Sequence, residues 1–141
     1  MPTASNVRAE PRYWPAVPER IWDSIREEFT LPTAADLEAH FQALNEPDAM
    51  RRAVRVFIGE GTFCPGFQLK DGLFNEPVLS LFARALELKI PHNVFAAWMV
   101  APLPGATGAG SRPVDQLFNT AQLRDALAAF ADRYRPVEKG R

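Results

Sequence analysis

The chain carries one cysteine, Cys64, and two histidines, His40 and His92, in 141 residues. A single cysteine excludes an intramolecular disulfide and a four-cysteine zinc site. The histidines stand far apart, and neither has an E-x-x-H or H-x-E neighbour, so no metal-ligand signature is present. An excess of charge is also missing. The formal net charge is −1, which gives no global pull toward nucleic acid or an anionic membrane. No apolar run approaches the ~20 residues that span a bilayer. The opening MPTASNVRAEPRYW lacks the apolar core of a secretory signal. The expectation is a cytoplasmic protein with no membrane contact, no metal and no cofactor.

What is present is the composition of a globular protein, 47% hydrophobic and 23% charged, at a length suited to one domain. Thirteen prolines cut the chain into short pieces, because proline ends helices and removes a backbone donor. Residues 1–17 read as an N-terminal arm that Tyr13 and Trp14 could dock. Residues 18–62 form an N-terminal helical segment. In it, Ile21, Trp22, Ile25 and Phe29 recur at helical spacing, with Pro18 in the first turn. Thr33 caps a second helix striped by Leu37, Phe41 and Leu44. Further on, Met50, Val54 and Phe57 fall on one face, with Arg51, Arg52 and Arg55 nearer the other. Glycines at 59, 61, 66 and 72 then disfavour helix, and short extended pieces with a turn at Lys70-Asp71-Gly72 fit better.

Residues 63–134 form the larger helical region. A central helix from about Pro77 is apolar over a wide arc through Val78, Leu81, Phe82 and Ala85. A break at Ile90-Pro91 precedes a helix turning Phe95, Trp98 and Met99 inward. After PLPGATGAG, Pro113 opens a helical turn, and a last helix capped by Thr120 carries Leu123, Leu127, Phe130 and Tyr134. Residues 135–141 are a tail. The expected fold is mostly α, a single compact domain of five to seven short helices with at most a small β element near 56–69.

No catalytic constellation assembles from these residues. His40 reads as a half-exposed surface histidine, and His92 as a residue that stabilises a turn. Cys64 has no basic partner and reads as a small packed thiol. Glu27 and Glu28 are adjacent and point apart on a helix, as solvated acids do. The glycines of GATGAG lack the lysine and the preceding strand of a phosphate loop. Arg51, Arg52 and Arg55 could meet phosphates, as could the basic tail with Arg133, Arg135, Lys139 and Arg141. ARALELKIPHNVFAAWM scans loosely as helix-turn-helix, but its second helix offers core residues where a recognition helix wants polar ones.

One long stretch is more informative. PGFQLKDGLFNEPVLSLFARAL, followed by VFAAWMVAPLPGATGAGSRPVDQL, resembles the C-terminal toxin-binding region of the Xre/MbcA/ParS antitoxins. Its pieces are Phe67-Gln68-Leu69, Gly72 with Pro77, Ala96-Ala97-Trp98, and Gly110-Ser111-Arg112-Pro113-Val114-Asp115-Gln116-Leu117, across about residues 63–132. The family's Asn-x-x-Leu before the signature glycine is replaced here by PLPGATGA, and no helix-turn-helix is readable in residues 18–57.

The resemblance implies a non-enzymatic antitoxin that covers the active site of a cognate RES-type, NAD-consuming toxin, and a chain that self-associates. Its contact candidates are Trp98, Arg112, Asp115, Arg124, Arg133 and Arg135. Two other functions stay open: an adaptor or immunity protein for an unrelated partner, and a DNA-binding regulator using Arg51, Arg52 and Arg55. On physical grounds Trp98 is an apolar anchor for helix 91–101 on helix 77–89, a contact burying roughly 150–250 Å². The proline- and glycine-rich connector re-aims the closing helix, and Asp115 sits in a first turn where the dipole favours an anion.

Overall fold

The computed structural model describes residues 14–106, 108 and 110–134. Among them are five α-helices and two small antiparallel hairpins, so the chain is a mostly α domain. Tyr13, Arg135 and the tail lie outside the described residues.

Helix α1 (Glu19–Glu28) begins after Pro18, which takes the N-cap position instead of the expected first turn. Of the predicted stripe it buries Trp22 and Ile25, while Ile21 and Phe29 are partly buried. Helix α2 (Ala34–Ala43) is capped as expected: Thr33 Oγ1 accepts from the Asp36 N–H at 3.1 Å. It ends in a Schellman motif. Asn45 takes φ 62°, and the N–H groups of Asn45 and Glu46 reach Gln42 O and Phe41 O.

The stretch 47–57 departs from the single helical face that Met50, Val54 and Phe57 suggest. A 3-10 turn spans Pro47–Arg52, and the chain is extended from Ala53 into β1 (Val56–Ile58). Met50 and Val54 are buried, but Phe57 is 59% exposed. The cause is local: β-branched Val54, Val56 and Ile58 favour extended backbone, and Val54 finds its hydrogen bonds elsewhere. Gln68 Oε1 accepts from Val54 N at 2.8 Å, and its Nε2 donates to Val54 O and Pro65 O at 3.0 Å. The fully buried Gln68 side chain therefore replaces a neighbouring strand.

Strand β1 pairs with β2 (Gly61–Phe63), and β3 (Leu69–Lys70) with β4 (Leu73–Phe74), past the expected limit at 69. Asp71 and Gly72 link the second pair with φ of 56° and 81°, the double positive φ of a type I′ turn. Gly66 is needed for close approach: a Cβ there would stand 2.9 Å from Thr30 N, with the Gly66 N–H already bonded to Thr30 O.

Helix α3 (Glu76–Glu87) buries Val78, Leu79, Leu81, Phe82 and Ala85. It closes in a second Schellman motif, with Lys89 at φ 64° and Ile90 N bonded to Ala85 O at 2.9 Å. Helix α4 (His92–Met99) follows Pro91. Two 3-10 turns (Pro113–Asp115 and Leu117–Asn119) lead into α5 (Thr120–Arg133). Its N-cap is Asn119, not Thr120. The main core joins α1, α3, α4 and α5 around Ile25, Leu81, Phe95, Met99, Leu123 and Leu127, so both halves of the chain share one interior. A smaller cluster of Leu37, Phe41, Met50, Ala53 and Cys64 lies under α2.

Candidate functional site

The region that links α4 to α5 begins with Trp98, which is 6% exposed. Its ring neighbours are Phe95 on its own helix at 6.2 Å and Phe130 on α5 at 6.5 Å. Trp98 thus anchors α4 toward the closing helix. On the α3 side, the Phe95 and His92 rings of α4 lie 5.2 and 4.6 Å from Phe82. Trp14 reaches the same face, 6.1 Å from Phe130 and 5.5 Å from Tyr134, so the arm's aromatic does dock.

Pro102 and Pro104 stop α4, and Gly105, Gly108 and Gly110 all hold φ near +80°. That backbone suits glycine alone without strain. The loop closes through Leu103 N to Ser111 O at 2.8 Å, and Gln116 Nε2 donates to Gly110 O.

Arg112 locks the exit. Its Nη1 and Nη2 donate to the two Glu28 oxygens at 2.8 and 2.7 Å, a bidentate fork. Nε and Nη2 also donate to Asp115 at 2.9 Å each. Asp115 Oδ2 in turn accepts from the Arg112 N–H, which helps cap the 3-10 turn. These bonds hold the Glu28 and Asp115 carboxyls below their usual range and raise the Arg112 guanidinium further. Glu28, read from sequence as solvated, is therefore the connector's tie to α1. The two residues are 84 positions apart, and no local pattern announces the pairing.

At the other end of α4, His92 and Asn93 hold β1. His92 Nδ1 accepts from the Arg55 N–H at 3.0 Å, while Asn93 bonds both Phe57 N and Phe57 O. His92 does stabilise a local junction, and burial lowers its pKa, aided by the nearby Arg55 charge. Cys64 is fully buried, which pushes its thiol up to about 11. Exposed His40 bonds Gly72 O through Nε2 at 2.7 Å.

The candidate contact residues fall into groups. Arg112 and Asp115 engage each other. Arg124 and Arg133 are exposed on α5 without a carboxylate partner among the described residues, Arg133 lying over the Phe130 ring at 5.8 Å. Phe118, just before α5, is 87% exposed. Of the alternative nucleic-acid set, Arg51 pairs with Asp48 and Arg52 with Glu76, and the Arg55 guanidinium donates to Met50 O. Arg51 and Arg52 end the 3-10 turn and Arg55 lies in the extended segment before β1, so the three share no helical face.

Residues 15–18, α1, α4, Pro102, Pro104 and α5 enclose an open groove of about 380 Å³. Trp98 and Arg133 meet there, as do Arg20, Ile21 and Val94, which sequence reasoning did not single out for a site. Among the described residues no three His, Cys, Asp or Glu gather as a metal site, and no helix is long and apolar enough to cross a membrane. Comparison with protein-family models, with curated proteins and with solved structures found no match.

Proposed function

We propose that the chain is a protein-binding antitoxin that neutralises a cognate RES-type, NAD-consuming toxin by covering its active site. The observation that carries this reading is the order and spacing of the pieces around Gln68, Gly72, Trp98 and Asp115, which resemble the toxin-binding region of that family. Each piece has a defined task here: Gln68 replaces a strand, Gly72 makes a turn, Trp98 meets α5, and Asp115 holds Arg112. Together they seat α5 on the core by Leu123, Leu127 and Ala131, which leaves its other face exposed. Phe118 before α5, Arg124 on it and Arg133 at its end are exposed, and neither arginine has a carboxylate partner among the described residues; Phe and Arg are residue types enriched at protein interfaces.

The test is co-expression with a RES-domain toxin encoded beside this gene, following cellular NAD and growth. Wild-type chain should preserve both. The double variant F118D/R124E alters only exposed side chains and should lose protection with its circular dichroism unchanged. NAD loss as deep as with toxin alone, in the presence of folded wild-type chain, contradicts the proposal. Protection by an unrelated partner's assay instead would favour an adaptor or immunity role.

A further inference from the structure

We infer that the groove between residues 15–18, α4 and α5 is a binding site for a small amphipathic carboxylate, an aryl or alkyl chain ending in one anionic group. At about 380 Å³ the groove lies at the small end of ligand sites, which run roughly 300–1,000 Å³. Ile21, Val94, Trp98 and Phe130 give it an apolar body. The Trp98 and Phe130 rings stand 6.5 Å apart in its wall and give an apolar surface against which an aryl or alkyl body can lie. Four prolines, at 15, 18, 102 and 104, stiffen the walls. The walls therefore need little ordering to bind.

The charge pattern selects the ligand's polar end. Two guanidiniums, Arg20 and Arg133, line the groove, and among the described residues no acidic one does. Neither arginine has a carboxylate partner among the described residues. The contrast with Arg112 is direct, since its donors are taken up by Glu28 and Asp115. An apolar cleft rimmed by two exposed planar cations, with no anion among its described lining residues, favours a carboxylate over a neutral or cationic group of the same shape. The site does not depend on the antitoxin reading. It uses this chain alone.

The experiment is a titration of the full chain with 4-phenylbutyrate and, separately, with neutral 4-phenylbutanol, followed by two-dimensional amide and indole NMR. The carboxylate should shift the Trp98 indole and the amides of Ile21, Val94 and Arg133, and should bind about fivefold more tightly than the alcohol, the effect of two exposed ion pairs. R20Q/R133Q should erase that preference and leave alcohol binding unchanged, and added salt should weaken only the carboxylate. Ala97 is partly exposed in the groove wall, so A97F should block both ligands; a folded A97F that binds as wild type overturns the assignment. Equal affinity for the two probes, an unaltered preference in R20Q/R133Q, or shifts scattered away from the groove overturn it as well. So does the absence of any shift.

Discussion

Removal of the Arg112 side chain should loosen the connector without unfolding the domain. Arg112 makes four side-chain hydrogen bonds of 2.7–2.9 Å to Glu28 and Asp115, and its own side chain is only 25% exposed. Hydrogen bonds to charged groups contribute about 1.5–3 kcal/mol each when shielded. Here Glu28 is 45% and Asp115 27% exposed, and water screens such pairs toward 1 kcal/mol or less. R112A should therefore cost about 2 kcal/mol, a fall in Tm of roughly 4–8 °C for a chain of this size. Urea and thermal unfolding by circular dichroism would measure it. A double-mutant cycle with E28Q should return a coupling of about 1 kcal/mol. R112K should recover under half of the loss, because lysine cannot form the planar fork.

The same clamp fixes an acid dependence. Glu28 and Asp115 have lowered folded-state pKa values, so their contribution is present above their ordinary carboxylate range and is lost as pH falls through the folded values. R112A should flatten the stability profile below about pH 4.5. A loss below about 0.5 kcal/mol for R112A, the scatter of ordinary surface substitutions, together with an unchanged acid slope, would refute the clamp.

Three further predictions concern the interior. Q68L should cost about 2–4 kcal/mol in urea unfolding, since it orphans Val54 N and Val54 O in a dry setting and takes one of two donors from Pro65 O; a loss under about 1 kcal/mol would contradict the strand-replacement role. His92 is held neutral, with a folded pKa below its ordinary 6.5. Its contribution is thus complete above about pH 6.5 and declines as pH falls through the folded value, and H92Q should remove that part of the slope in a pH series of denaturation curves. Cys64, with its thiol raised to about 11, should resist iodoacetamide at about pH 8 until denaturant is added; rapid labelling of the folded chain would contradict its burial.

Local rules reached the helices well. Trp22 and Ile25, Leu37 and Phe41, and Leu123 and Leu127 of the expected stripes are buried, though Leu44 at the end of the second is 45% exposed; the Thr33 cap forms, and Asp71-Gly72 turns where its dipeptide suggests. Each is a short-range feature, decided by a few neighbouring residues. The stretch 47–57 failed because a 3.6-residue pattern of Met50, Val54 and Phe57 competed with a remote partner. Gln68, fourteen positions on, supplies the bonds that keep Val54 extended. Trp98 was legible as an anchor, but its partner Phe130 was not, since facing elements are set by topology. The Glu28–Arg112 tie and the groove are invisible for the same reason: they join residues that share no periodicity. Arg112 and Asp115, contact candidates by the resemblance in residues 63–132, bond each other in the structure.

The central claim is that this chain acts by holding another protein. Affinity purification of the tagged chain from its native host, with mass spectrometry of what is retained, tests it most directly. The account predicts one stoichiometric protein associate of RES type, retained by wild type and lost by F118D/R124E. Recovery of no stable protein, or consumption of NAD by the purified chain itself, would contradict it.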